Sequence, residues 1–281
     1  MESKKQLAND DGLGSEHSQH APCSALQFAL RLPDFIIGGA PRSGTTWLYE
    51  LLARHPDVFL AKPSQPEPKF FLVDDLYERG IEYYSQKWFA EARRGALVGE
   101  KSTNYLESAA AARRIHRDLP FVKLIFILRN PVARAYSNYL WSRKNGLENE
   151  TFEQALALEE ERERQIPDRL RYARPHAYFS RGLYADLLEP YLSLFGRKQI
   201  LCLRFDDLRE RPALLTDRLH DFLGLERRRE DAFGLGVIRP SDPNAPPLSA
   251  ETRAALTERY LEPNLRLATL LGDDFQMWAD P

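Results

Sequence analysis

Residues 34–56 read DFIIGGAPRSGTTWLYELLARHP, and no other stretch constrains the fold as much. An apolar run ends in two glycines. After a short loop, Trp47, Leu48, Leu51 and Leu52 recur at helical spacing, so the segment reads as buried strand, tight loop and helix. The pattern repeats. FVKLIFILR has no polar alternation from Leu124 to Leu128, as a parallel strand covered on both faces requires. NPVARAYSNYLWSRKNG follows it as a helix opened by proline and closed by glycine. ALVGEKS with SAAAARRIHRDL, and QILCLRFDDL with RPALLTDRLHDFLGL, supply two more pairs. Four strand–helix units predict an α/β fold of three layers, with a central parallel β-sheet flanked by helices.

The remaining segments read as peripheral. FEQALALEEERERQ patterns as a charged surface helix, and YFSRGLYADLLEPYLSLFG carries an apolar face for packing on the sheet. IRPSDPNAPPLS is a loop by its prolines and asparagine, and AETRAALTERYLEPNLRLATLLG closes the chain as helix. Residues 1–30 are polar and poor in branched apolar side chains, so a flexible tail is expected there, with residues 31–281 forming one domain. Lysine plus arginine (39) against aspartate plus glutamate (41) leaves a net charge of −2, which gives no global reason to expect nucleic-acid binding. Functional positive charge must therefore be local. Two cysteines, Cys23 and Cys202, exclude a disulfide framework or a four-cysteine zinc site. The N-terminal stretch has no apolar signal core, and no window reaches the roughly 18 apolar residues of a membrane span. The expectation is a cytoplasmic chain without a membrane partner.

Gly39-Ala40-Pro41-Arg42-Ser43-Gly44-Thr45-Thr46 stands where a strand's C-terminal end meets a helix N-terminus. Backbone N–H groups and the helix dipole make this an anion site, and small residues let a phosphate approach. The segment nearly matches the phosphate loop of nucleotide triphosphatases, but Thr45 stands in place of the lysine and the positive charge has moved to Arg42. A second difference agrees with the first: the next core strand ends in Leu128-Arg129-Asn130, where a magnesium enzyme would place an aspartate. A cation there repels a metal and attracts a further anion.

On these residues the chain resembles the sulfotransferases that use 3′-phosphoadenosine 5′-phosphosulfate (PAPS). GGAPRSGTTWLYELLARHP looks like their 5′-phosphosulfate loop and FILRNPVARAYSNYL like their 3′-phosphate segment, within the heparan sulfate N- and O-sulfotransferase branch. The resemblance implies a P-loop-type fold, PAPS as sulfuryl donor, adenosine 3′,5′-bisphosphate as product and no metal. It also implies that Arg42, Ser43, Gly44, Thr45, Thr46 and Trp47 hold the 5′ end and that Arg129 and Ser137 hold the 3′ phosphate. A guanidinium fork with a hydroxyl donor suits a dianionic phosphate, and Ser137 can share the site only if its helix starts after Arg129, near Pro131.

Sulfuryl transfer asks for a base. QPEPKFF matches the branch's carboxylate ahead of a Phe-Phe pair, which implies Glu67 as general base, with Phe70 and Phe71 anchoring it. VGEKSTNYL is similar to the family's Glu-Lys-Ser/Thr-x-x-Tyr motif, implying that Lys101, with Arg42, faces the developing charge; the competing reading is a surface pair of Lys101 with Glu100. Tyr184, in RGLY, would lie beside the donor. The family's late basic loop is replaced by IRPSDPNAPP, with Arg239 its one cation. Six histidines offer other bases. His17 and His20 lie in the tail, His55, His116 and His220 on or beside helices, and His176 in a loop. Where some relatives carry a histidine, this chain has Trp141. The expected acceptor is a hydroxyl or amine of a saccharide or other small molecule such as a secondary metabolite. A P-loop kinase and a non-catalytic adenine-nucleotide-binding protein are the competing readings.

Overall fold

In the computed structural model the described residues are 30–167, 171–232, 234–236, 245–272 and 275–278. Five strands form one parallel sheet: β1 (Phe35–Gly39), β2 (Val58–Leu60), β3 (Leu97–Lys101), β4 (Lys123–Leu128) and β5 (Ile200–Arg204), in the order β2-β3-β1-β4-β5. The helices are α1 (Thr45–Ala53), α2 (Asp74–Tyr77), α3 (Gly80–Phe89), α4 (Ala109–Asp118), α5 (Pro131–Lys144) and α6 (Phe152–Ala157). They continue as α7 (Glu159–Gln165), α8 (Tyr184–Leu194), α9 (Asp207–Glu210), α10 (Pro212–Leu223) and α11 (Ala250–Leu271).

Both sheet faces are covered, which explains the unbroken apolar runs. Along β4, Leu124, Phe126 and Leu128 enter a core built with α3, α4, α8 and α11, while Ile125 and Ile127 enter the opposite core built with α1 and α10. The three-layer α/β arrangement is as the sequence predicts. A third apolar cluster joins Val132, Ala135 and Tyr139 of α5 to Phe152, Tyr178, Leu256 and Tyr260.

Two features depart from the reading of the sequence. The edge strand β2 is a fifth strand, pairing Val58–Leu60 with Leu97, Val98 and Gly99 of β3. The charged stretch 152–165 is two helices broken at Leu158, and it is more than a solvated face. Glu159 is buried, its carboxylate accepting from the N–H groups of Phe179 (2.6 Å) and Ser180 (2.8 Å). Residues 237–244, which include Arg239 and most of the IRPSDPNAPP segment, lie outside the described residues.

Glycine is required at a close approach in the middle of the sheet. Phe35 of β1 registers with Gly99 of β3, and a Cβ on Gly99 would stand 2.2 Å from the Phe35 ring. Phe35 is itself fully buried, so the ring has no open space to move into. Gly99→Ala should therefore lower unfolding free energy by about 1–3 kcal/mol, the usual cost of overpacking a core. Denaturant titration reads this directly, and an unchanged midpoint would show that the core yields at this point.

Candidate active site

From β1 the chain passes to β2 and β3 on one side, and it reaches β4 and β5 on the other. The connections that follow β1 and β4 therefore part beyond their C-terminal ends, and this is the crevice where open α/β sheets take ligands. The loop 40–44 leaves β1 here and enters α1 through Gly44, whose φ of 92° favours a residue without a side chain. A Cβ on Gly44 would also stand 2.5 Å from Leu208. The first intrahelical bond runs from Leu48 N–H to the Gly44 carbonyl (3.2 Å). The N–H groups of Thr45, Thr46 and Trp47 consequently project from the helix end along its dipole.

On the β4 side, Asn130 caps α5, its Oδ1 accepting from Val132 (3.0 Å) and Ala133 (3.2 Å), with Pro131 at the first helical position. The helix starts after Arg129, as the placement of Ser137 requires. Arg42 Nε donates to Ser137 Oγ at 3.4 Å, Arg129 Nη1 donates to the Arg42 carbonyl at 3.2 Å, and the Tyr184 hydroxyl donates to the Arg129 carbonyl at 2.9 Å. The buried Ser43 side chain also reaches the Tyr184 hydroxyl. Arg129 lies over the Phe205 ring at 4.7 Å, which fixes the guanidinium plane. Burial works against the charge of Arg129 and holds its pKa down; Tyr184 and Asp206 oppose this, while nearby Arg42 and Arg134 add to it. An anion is the natural remedy. Burial also pushes the Tyr184 phenol up, keeping it a hydroxyl donor at neutral pH. Trp47 differs from the others: its indole is buried in the α1 core, with Nε1 donating to the Leu235 carbonyl at 3.3 Å, so it offers the crevice its backbone N–H alone.

A second group sits beside the first, at the end of β3. Ser102 N–H donates to the Ile37 carbonyl, and a Cβ on Gly39 would lie 3.1 Å from the Thr103 carbonyl, so β3 delivers its last residues next to the loop. Lys101 Nζ pairs with Glu67 Oε1 at 2.5 Å, both side chains nearly fully buried. Glu67 Oε2 accepts from Thr103 N–H (3.0 Å) and Thr103 Oγ1 (3.1 Å). Phe70 and Phe71 are both in the core, anchoring the segment as the sequence implies. Backbone bonds hold it further: Lys69 N–H donates to Ser102 Oγ (2.9 Å) and Phe71 N–H to the Tyr105 hydroxyl (3.2 Å). Lys101 thus pairs with Glu67 rather than with Glu100.

Arg181 joins the two groups to the outer wall. Its Nε donates to Glu107 Oε2 (3.0 Å), Nη1 to Asn138 Oδ1 (3.2 Å) and Nη2 to the Ala173 carbonyl (2.6 Å). The described histidines lie elsewhere. His55 and His220 pack edge to face at 5.3 Å, His116 packs on Phe195, and His176 Nδ1 lies 3.7 Å from Glu148. Trp141 is 41% exposed on α5. Among the described residues no group of three His, Cys, Asp or Glu side chains is placed to hold a metal ion. Thr103, Glu107, Asn138 and the positioning role of Arg181 escape a reading of the sequence. Thr103 left a signal there, two residues after Lys101 at the end of a strand, and Arg181 opens the RGLY element that the resemblance puts beside the donor.

Glu100 occupies the opposite face of β3 from Lys101 and is fully buried, accepting from Ser102 Oγ at 3.1 Å. Burial pushes its carboxyl up to about 7 from 4.5, against the hydrogen bond from Ser102. A folded-state pKa above the unfolded one means that this contribution to stability is complete below pH 4.5 and is lost as pH rises through 7. Glu100→Gln keeps an acceptor for Ser102 without the charge. It should raise the melting temperature at pH 8 relative to the native protein by more than it does at pH 5; equal shifts at both pH values would show that Glu100 does not titrate in this window.

Comparison with known proteins places this geometry. The sulfotransferase domain family matches residues 32–232. Human bifunctional heparan sulfate N-deacetylase/N-sulfotransferase 2 is 30% identical over 267 residues, covering 86% of this chain and 30% of that protein. Human heparan sulfate glucosamine 3-O-sulfotransferase 6 is 34% identical over 197 residues, covering 70% and 54% respectively. The chain therefore spans about a third to a half of the length of these relatives. The crystal structure of a sulfotransferase from Alicyclobacillus acidocaldarius superposes with a TM-score of 0.67 at 28% identity, over 86% of this chain and 96% of that one. With the domain matched across most of the sequence and the fold shared with a solved member, the chain belongs to the sulfotransferase family.

Proposed function

We propose that this protein transfers a sulfuryl group from PAPS to a hydroxyl or amine of a saccharide or secondary-metabolite acceptor, with Glu67 as general base. The observation that carries the reading is the convergence of Arg42, Arg129, Ser137 and Tyr184 on the phosphate-loop crevice, with the Glu67–Lys101 pair beside it. The donor set suits PAPS, since free helix N–H groups and Arg42 fit a 5′-phosphosulfate, while Arg129 and the Ser137 hydroxyl fit a 3′-phosphate. When bound, PAPS supplies the sulfuryl group and takes up charge on the oxygen that bridges sulfur and phosphate. The relatives named for heparan sulfate N- and 3-O-sulfation make a saccharide the first acceptor class to test.

Glu67 accepts the acceptor's proton as the acceptor oxygen or nitrogen bonds to sulfur and the bond from sulfur to the bridging oxygen breaks, its electron pair remaining on that oxygen. Proton uptake neutralises the carboxylate that holds Lys101 at 2.5 Å. The lysine charge is then available to the bridging oxygen at the moment negative charge grows there, which is where stabilisation accelerates the step. Thr103 keeps the carboxylate aimed through both of its donors. A kinase reading has less support, since Thr45 fills the lysine position and Arg129 the place of a metal-binding aspartate.

Transfer of labelled sulfate from PAPS, without added metal, to a panel of saccharide and small hydroxyl or amine acceptors tests the activity. Arg129→Ala should weaken adenosine 3′,5′-bisphosphate by about ten- to a hundredfold, the value of a charge-assisted contact. Adenosine 5′-monophosphate should be nearly unaffected, and equal losses for both would remove Arg129 from the 3′ site. Glu67→Gln preserves shape but cannot take a proton, and its amide keeps one acceptor oxygen where the carboxylate has two. It should retain nucleotide binding, lose on the order of 10² to 10⁴ in kcat and lose the acidic limb of the pH profile. Near-native turnover would transfer the base role to another group.

A further inference from the structure

Arg134, on α5, is the largest fully buried side chain in the protein. Its Nη2 donates to the Tyr178 carbonyl, while Nε and Nη1 make no hydrogen bond and the guanidinium enters no ion pair among the described residues. The carboxylates of the same layer are engaged: Glu159 with the N–H groups of Phe179 and Ser180, Glu107 with Arg181. A buried charge without a counter-charge is strongly unfavourable, and one bond to a carbonyl does not offset it. Among the described residues no ion pair accounts for a full positive charge here.

Its position does. Three and four residues on from Arg134 along the same helical face stand Ser137, bonded to Arg42, and Asn138, bonded to Arg181. The charge of Arg134 also reaches Tyr184, whose hydroxyl donates to the Arg129 carbonyl, and Arg129 itself. Arg134 thus lies behind the crevice that the donor reading assigns to the 3′-phosphate. We propose that Arg134 is a specificity-determining residue of donor binding, a buried counter-charge that acts through its field rather than by contact and favours the nucleotide bearing a 3′-phosphate over the same nucleotide without it. The proposal rests on that donor reading. Because the path between charge and ligand is protein rather than water, the interaction is poorly screened. Binding of the dianion supplies the missing counter-charge.

The test compares Arg134→Gln, Arg134→Met and Arg134→Lys with the native chain, using calorimetry with adenosine 3′,5′-bisphosphate and adenosine 5′-monophosphate and melting curves without ligand. The informative quantity is the dissociation constant of the monophosphate divided by that of the bisphosphate. It should fall about tenfold or more in the Gln and Met variants and stay near native in the Lys variant, as a Coulomb contribution at low effective dielectric implies. The unliganded Gln and Met variants should melt no lower than the native protein, since they lose an uncompensated charge. An unchanged ratio in Gln and Met overturns the proposal. So does loss of folding in Gln and Met but not in Lys, because the charge would then support the fold rather than the ligand. A native protein that does not distinguish the two nucleotides contradicts the donor reading itself, which is a separate result.

Discussion

The bond from Arg129 to the carbonyl of Arg42 joins the end of β4 to the loop that follows β1, and the rest of the site is arranged around it. The chain fills opposite sides of the sheet after each of these strands, and past the bond from Ala40 N–H to the Ile127 carbonyl (3.0 Å) the sheet's own ladder no longer joins them. Arg129 closes the gap. Phe205 beneath it and the Tyr184 hydroxyl on its own carbonyl fix it, and Arg42 returns the contact by donating to Ser137 on the helix that Arg129 precedes. The loop is consequently held from α5 as well as from α1, so its backbone N–H groups are preorganised for an anion.

The end of β3 performs the corresponding task for the Glu67 segment, and strand alternation explains how. Lys101 and Thr103 take the carboxylate, while Glu100, Ser102 and Tyr105 serve the buried side and the backbone of residues 69–71. One short stretch thereby fixes both the carboxylate of Glu67 and the chain that carries it. Arg181 then ties this stretch, through Glu107, to α5 and to the 173–181 segment. A displacement in any of the three elements is felt by the other two, because the guanidinium spans all of them.

What could be read from the sequence follows from how local each signal is. The phosphate loop, the apolar run of β4, the Pro131 helix start and the Phe70–Phe71 anchor each lie within a few adjacent residues, and each appears where the pattern puts it. The short strand β2 escaped because three residues are too few for a periodic signal. Glu159 read as part of a solvated charged face because its partners, Phe179 and Ser180, are 20 and 21 residues away. Arg134 is illegible for the same reason, and although the RGLY element puts Arg181 beside the donor, the three elements that its guanidinium joins are set by what stands around it in space. Trp47 shows the limit in the other direction, since a residue inside the loop motif sends its side chain into the core.

The distribution of charge explains how a chain with a net charge of −2 can offer an anion site. Along the wall formed by residues 146–181, arginines and carboxylates compensate one another: Arg162 with Glu148, Arg174 with Glu163, Arg181 with Glu107. In the crevice Arg129 donates instead to the Arg42 carbonyl, and Arg134, behind it, to the Tyr178 carbonyl. A hydrogen bond to a neutral oxygen orients a guanidinium without cancelling its charge. The segregation of partners, more than the count of basic residues, sets where an anion would be favoured.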